Sequence, residues 1–304
     1  MKTIINNNFI NSIKRLVFFS VLGMLPLQVD AQFNPMGASY FKNQYLVNPA
    51  LAGMKQELNL NMGIRRDFSS IPGSPTTQNF TADYGFTPRA AIALLVYNDR
   101  AGLLRNTKGA GTFAYHLPLS AAKVLSFGIS LALAKDQLDQ SAVNGNLNDP
   151  DLLAVNDRET YVDGNFGLAY TQQNLSLQLA FPNMKRLFRK DGAAVAERSI
   201  FFSALSYQFT TVIGLITPKL VYRGTESNRH IFDGGANWEI QRTTPNRLNV
   251  FGMYHSTKSA TFGIGMNWAD NFSLNAMYNT NVAGLQNYTT GNFELNIGCT
   301  LFRK

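Results

Sequence analysis

Leu58-Asn59-Leu60-Asn61-Met62-Gly63-Ile64 alternates apolar and polar residues without a break, and Asn174-Leu175-Ser176-Leu177-Gln178-Leu179-Ala180-Phe181 repeats the pattern. A period of two sorts side chains onto the two faces of a β-strand. Near the end of the chain Phe293, Leu295, Ile297, Cys299 and Leu301 alternate with Glu294, Asn296, Gly298 and Thr300. The polar set is mostly Asn, Ser, Gln, Gly and Thr rather than charged residues, which suits a moist enclosed interior.

Working outward, about fourteen such segments can be marked, each near the 9–11 residues of a tilted membrane strand. They cover 57–66, 76–86, 90–97, 107–117, 123–135, 161–171, 174–182, 198–209, 215–223, 231–241, 248–255, 259–268, 272–280 and 291–302. Their connections sort by length. Thr87-Pro88-Arg89, Gln172-Gln173 and Ala269-Asp270-Asn271 follow even strands and are short, whereas 67–75, 98–106, 136–160, 183–197 and 281–290 follow odd strands and are long. Ser256-Thr257-Lys258 is the short exception. Short turns at one end opposite longer loops at the other, with an even strand number, are the pattern of an outer-membrane barrel. The expected fold is therefore all-β, a closed antiparallel transmembrane β-barrel of about fourteen strands. Tyr97, Tyr115, Phe181, Tyr207, Tyr222, Trp268 and Tyr278 are candidates for its interfacial aromatic girdles.

Composition agrees. Charged residues are 15% of the 304 and hydrophobic residues 45%, with a mean hydropathy of -0.10. A barrel shows half of each strand to lipid and half to its lumen, so its average looks soluble although charge is scarce. The net charge of +8 is scattered apart from Lys185, Arg186, Arg189 and Lys190. No nucleic-acid motif accompanies that cluster, so the expected counter-charge is lipopolysaccharide or an acidic protein surface rather than nucleic acid.

Residues 1–31 read as a cleaved signal peptide. Lys2, Lys14 and Arg15 precede the apolar Leu16–Leu27, and Val29-Asp30-Ala31 is a small-residue cleavage site. The apolar stretch is too short to span a bilayer, which takes about 20 residues. Residues 32–56 do not alternate and are expected to form a non-barrel segment, periplasmic or lumen-filling, ahead of the barrel at 57–304.

The single Cys299 excludes an intrachain disulfide, and His116, His230 and His255 lack metal-ligand spacing. No G-x-S-x-G surrounds a serine, and glycine pairs such as Gly263 and Gly265 lie in strands without the helix that a phosphate site requires. Asp136, Asp139, Asn144, Asn146, Asn148, Asp149 and Asp151 form an acidic outer loop without EF-hand spacing, read as solvated. No catalytic, cofactor or metal site is expected. A hydrolase reading would require a clustered His–Ser pair.

Three blocks carry a family resemblance. Phe33-Asn34-Pro35 leads through Tyr40-Phe41-Lys42-Asn43-Gln44-Tyr45 to Asn48-Pro49-Ala50-Leu51-Ala52-Gly53. Arg65-Arg66-Asp67-Phe68 is followed by Ile71-Pro72-Gly73-Ser74-Pro75-Thr76-Thr77-Gln78. Tyr97-Asn98-Asp99-Arg100-Ala101-Gly102-Leu103 precedes Tyr115-His116-Leu117-Pro118-Leu119 and Leu125-Ser126-Phe127-Gly128. In this order the blocks resemble the PorP/SprF family of the type IX secretion system. The resemblance implies a Gram-negative outer-membrane barrel that assists export or cell-surface anchoring of a secreted partner by engaging its type IX C-terminal signal domain. It also implies association with periplasmic peptidoglycan-associated envelope proteins and, in some members, gliding motility. No catalytic residue comes with it. Asn48, Pro49, Ala50, Gly53, Gly73, Ser74, Pro75, Asn98, Asp99 and Gly102 are the family-motif residues and candidate partner contacts. Turn chemistry offers a second account of each: Asn48-Pro49 opens a turn that Gly53 closes, Gly73-Ser74-Pro75 makes a rigid hairpin tip, and Asn98-Asp99 with Gly102 makes an Asx-type outer loop. The competing function is a porin-like channel or transporter for small solutes.

Overall fold

A computed structural model describes residues 37–68, 73–139, 160–185, 199–225, 229–240, 246–280 and 291–302. The expected signal peptide, most of the acidic loop 136–160, Arg186, Arg189 and Lys190 of the basic cluster, and loop 281–290 lie outside the described residues. Three single-turn 3-10 helices, Ser39–Phe41, Gln44–Leu46 and Pro49–Leu51, precede the strands.

The strands are β1 (Leu58–Arg66), β2 (Thr76–Gly85), β3 (Ala90–Ala101), β4 (Leu104–Ser120), β5 (Lys123–Leu138), β6 (Tyr161–Gln172), β7 (Leu175–Phe181), β8 (Ser199–Tyr207), β9 (Phe209–Thr211), β10 (Gly214–Thr225), β11 (His230–Ile240), β12 (Arg247–His255), β13 (Ser259–Trp268), β14 (Phe272–Asn279) and β15 (Asn292–Leu301). β8 and β9 both pair with β10 and are separated by Gln208 alone, so they form one stave, and the ring has fourteen. Every described pairing is antiparallel between chain neighbours except the closing one, β1 with β15, which runs from Leu58↔Leu301 to Arg66↔Phe293. Pairing of β10 with β11 from Gly214↔Ile240 to Gly224↔His230 completes the circle. Closure leaves no sheet edge, which hydrocarbon demands because it offers no partner to a bare N–H or C=O.

The alternation sets what each face carries. Outward positions of the middle strand regions are apolar: Ile92, Leu94 and Val96 on β3, Ile129, Leu131 and Leu133 on β5, Phe262 and Ile264 on β13, Leu295 and Ile297 on β15, all exposed. Among the described residues outward charges occur only at strand ends, at Arg66, Arg100, Arg105 and Lys135 on the end with the longer connections and at Lys123 on the other. The long-connection end is called outer below and the short-turn end inner. Aromatic rings band both ends: Tyr115, Tyr207, Trp268 and Phe272 near the inner, Phe181, Tyr222, Tyr254 and Tyr278 near the outer. Phe181, Phe201, Tyr222 and Phe232 touch in sequence around the outer band, at centroid separations of 5.4, 5.6 and 5.0 Å. An arginine at Ile264, halfway along β13 and 67% exposed, is expected to destabilise the barrel by about 2–4 kcal/mol in refolding titrations into lipid vesicles. The same change at the inward neighbour Asn267 should cost much less.

Two expectations need correction. Tyr97 is not a girdle residue. Ile92, Leu94 and Val96 face out, so Tyr97 faces in, and it pairs with the inward positions Asn79 and Lys108. Asn98 and Asp99 do not form an Asx loop. The β3–β4 ladder continues to Ala101↔Leu104 and turns on Gly102-Leu103 alone. A two-residue hairpin with glycine at its first central position, here at φ +60°, matches the twist of the strands and needs no longer loop.

Candidate functional site

A ring of fourteen staves lies between the eight-stranded barrels that side chains fill and the 16-stranded ones that leave an aqueous channel. Here the chain's own residues 37–56 occupy the space. They reach inward-facing side chains all round the ring, entering near the outer end at Glu294 and leaving near the inner end at Asp83 and His116. The segment forms only single 3-10 turns because Asn48, Pro49 and Gly53 punctuate it. The Asn48 side chain accepts from Ala50 N at 3.0 Å, Pro49 opens the last turn, and Gly53 at φ +56° redirects the chain towards β1.

Its anchors are polar. Glu294 accepts from Ala38 N at 2.8 Å and from the Ser39 hydroxyl at 2.7 Å. The Tyr40 hydroxyl donates to Asp233 Oδ2 at 2.6 Å, and the same carboxylate receives Arg223 Nε at 2.9 Å and His255 Nδ1 at 2.7 Å. Lys42 Nζ donates to Asn237 and Asn249 and lies 4.8 Å over the Phe251 ring, on which Phe41 stacks. Asn43 donates to Thr81 at 2.8 Å, and the Tyr45 hydroxyl meets Thr112 at 2.8 Å. Lower down Asn48 Nδ2 donates to the Leu168 carbonyl at 3.1 Å and Gly53 N to Asp83 Oδ2 at 2.9 Å.

Beneath the Asn48-Pro49-Ala50 turn two facing wall positions carry no side chain. Gly128 of β5 and Gly167 of β6 are cross-strand partners. A Cβ on Gly128 would lie 2.2 Å from the Pro49 carbonyl carbon, and one on Gly167 would lie 2.1 Å from Asn48 Oδ1. The turn therefore rests directly on strand backbone, a close approach that glycine alone permits.

These contacts place the candidate residues in three settings. Asn48, Pro49 and Ala50 are buried in the lumen with Gly53, away from the outer surface. Gly73, at φ +72°, Ser74 and Pro75 stand at the outer end between β1 and β2, where Pro75 O accepts from Asp67 N at 2.9 Å. On β3, Asp99 faces the lumen and accepts from Thr77 Oγ1 at 2.7 Å, Asn98 lies on the opposite face, and Gly102 is the hairpin tip. The Asn48 and Gly73 groups are thus not one surface. Asp233, Arg223 and Gly167 are anchoring residues that the sequence reading did not name, while Glu294, His255 and Gly128 were named there without an anchoring role.

Two histidine clusters bear on hydrolysis. His116 Nε2 meets the Ala52 carbonyl at 3.0 Å, which makes that nitrogen the donor, and Nδ1 meets the Ser126 hydroxyl at 2.9 Å. Asp233, His255 and Thr261 form a second chain, with His255 Nε2 2.8 Å from Thr261 Oγ1. Ser126, Thr261 and His255 are all 0% exposed, and the histidine nitrogens are committed to these partners. A nucleophile needs room for a substrate carbonyl beside it. Both clusters are packed shut and fasten the segment and the wall.

Among the described residues, cavities flank the segment, and two are the most spacious of three that it lines. The outer, about 420 Å³, lies between Leu46, Val47 and Pro49 and the outer ends of β2, β3 and β4. The inner, about 620 Å³, has mixed charge from Lys55, Glu57, Asp83, Arg247 and Asp270.

A closed antiparallel ring with an apolar belt, aromatic bands at both ends and a polar interior is an outer-membrane β-barrel. The sequence pattern of the type IX secretion system membrane protein PorP/SprF family matches residues 29–299, and the chain belongs to that family. It resides in the outer membrane of a Gram-negative bacterium. No curated protein matches the chain in sequence. Among solved structures it is similar to the toluene transporter TbuX of Ralstonia pickettii, at 10% identity and a TM-score of 0.50 over 84% of this chain and 92% of that one. A FadL homologue of Pseudomonas aeruginosa is similar at 9% identity and a TM-score of 0.49, again over 84% and 92%. At these identities the likeness is one of fold.

Proposed function

We propose that this barrel is an adaptor rather than a conduit: it assists export or surface retention of a secreted protein by engaging that protein's C-terminal signal domain, and it connects to peptidoglycan-associated envelope proteins on its inner side. Family membership supports a role with secreted cargo and envelope components in general. The observation that carries the adaptor reading is the occupied lumen. Residues 37–56 are held by hydrogen bonds to strands all round the ring, and an open diffusion pore would not carry so firmly held an obstruction. The family-motif residues divide accordingly: Asn48, Pro49, Ala50 and Gly53 keep the lumen filled, while Gly73, Ser74, Pro75 and Gly102 stand at the outer end where cargo arrives.

The fold likeness to the toluene transporter TbuX suggests the rival reading, and conductance separates the two. Purified full-length protein in planar bilayers is expected to be electrically silent and to co-purify from native membranes with a large exported protein. Deleting 37–56 should open steady ion currents, since a ring of this size without its filling leaves an aqueous lumen. Steady currents from the intact chain, with no exported protein attached, would show a channel and end the adaptor reading.

A further inference from the structure

The outer cavity carries more than its volume. Its lining combines apolar side chains, Leu46 of the lumen segment and Leu95 and Tyr97 of β3, with side-chain amides, including Asn106, Asn165 and Asn183. Its cations are already engaged: Arg65 pairs with Asp67 at 3.0 Å, and Lys108 lies 3.8 Å from Asp163 and donates to Asn183 at 2.8 Å. On the same lining Ser199 is only 4% exposed, and its hydroxyl has no hydrogen-bond partner among the described residues. A buried hydroxyl left unpaired is costly, and a ligand that satisfied it would recover that cost.

We infer that this cavity is a binding site for a short, uncharged, extended polypeptide segment carrying an apolar side chain, presented by the secreted partner. The inference rests on the adaptor reading and gives it a location. The chemistry favours peptide. Asn183 is committed to Lys108 and the Ser199 carbonyl, but Asn106 Oδ1 and Asn165 Nδ2 can offer a peptide backbone an acceptor and a donor, and the Ser199 hydroxyl can serve either of its groups. A carboxylate-headed lipid would look for an uncommitted cation, and the two cations here are paired. The volume falls in the range of about 300–1,000 Å³ typical of ligand sites. One apolar side chain against Leu46 and Leu95, with its flanking amides towards Asn165 and Ser199, accounts for both kinds of lining.

The test uses the full chain in lipid nanodiscs and three titrants: an end-capped leucine–phenylalanine–valine tripeptide, its all-aspartate counterpart, and decanoate. Saturable calorimetric binding is expected for the first alone. Ser199→Phe, which fills the cavity, should abolish it. Ser199→Ala, which removes the hydroxyl without filling the space, should weaken it by about tenfold while leaving the melting temperature unchanged or raised. The alanine variant decides the matter if the phenylalanine variant does not fold. No binding of the neutral tripeptide, equal binding by the alanine variant, or preference for decanoate or the aspartate peptide would each overturn the inference. In cells, cargo lost from the surface on gene deletion but retained by Ser199→Phe would overturn the cavity and leave the adaptor reading standing. Cargo retained after gene deletion would overturn the adaptor reading itself.

Discussion

Valine at Gly128 is expected to expel the lumen segment while leaving the ring of strands intact. The new Cβ would fall 2.2 Å from the Pro49 carbonyl carbon and 2.3 Å from Ala50 N, and both are backbone atoms that no rotamer change can move aside. The strand has no reason to yield first. Gly128 lies in a sixteen-residue strand paired along both edges, whereas the segment above it is built of three-residue turns. The lost anchors would include the Asn48–Leu168 bond and the His116–Ala52 bond. The expected outcome is a barrel with its usual heat-modifiable migration on gels, now conducting in planar bilayers and cut by protease within 37–56. Valine at Gly167, whose Cβ would meet Asn48 Oδ1 at 2.1 Å, should reproduce the effect. Valine at Gly111, an outward glycine of β4 whose Cβ would meet nothing within 4 Å, is the control and should change neither readout. A silent Gly128→Val barrel that still protects 37–56 from protease would show that the glycine floor does not seat the turn.

The second large effect is expected at Asp233. Its carboxylate, 0% exposed, is shared by Tyr40, Arg223 and His255 at 2.6–2.9 Å, and the Arg223 side chain is likewise 0% exposed. Replacing Asp233 by leucine takes this counter-charge away from a guanidinium held in a dry place and is expected to cost about 3–5 kcal/mol. The midpoint of the heat-modifiability transition in vesicles would read this loss. Because Tyr40 belongs to the lumen segment, the change should also loosen that segment's outer half. The pair Asp233→Leu with Arg223→Met should recover much of the loss, since no charge is then left without its counterpart. A double variant no more stable than Asp233→Leu would mean that the carboxylate acts mainly by holding Tyr40 and His255, not by compensating the guanidinium.

The strand order and both faces of the ring were legible in the sequence because lipid on one side and a polar interior on the other impose a two-residue period on each stave. The limits of that legibility are physical. At Asn98, Asp99 and Arg100 the β3 strand rises past its apolar belt, where neither face must be apolar; the alternation vanishes although the ladder of hydrogen bonds runs on to Ala101. A loop reading there followed composition, whereas the ladder follows backbone pairing. Tyr97 was misassigned because aromatic character was weighed without the phase set by Ile92, Leu94 and Val96. The same alternation, followed along β10 and β11, could have exposed Arg223 and Asp233 as inward, as it does Glu294 on β15, since a charge on a lipid-facing stave has nowhere else to point. The Gly128–Gly167 floor was out of reach. It depends on the cross-strand register between β5 and β6, and the long connection between those strands leaves that register unmarked in the sequence. The cavity at Ser199 was hidden for the same reason, since its walls come from strands that meet only in the folded ring.

The seam between β1 and β15 has a consequence for how the molecule is made. Its first pair, Leu58 with Leu301, joins the first strand to the last, so no ring exists until β15 has been synthesised and delivered. Contacts of such long sequence separation carry a large loop-closure entropy and form slowly. Until they form, the first and last strands are bare edges prone to pairing with other chains. Ala38 and Ser39 find their acceptor, Glu294, only on that last strand, so the interior can be fully anchored only once the seam is in place. A chain that lacks β15 is therefore no leaky pore, only an unclosed sheet for the periplasmic proteases.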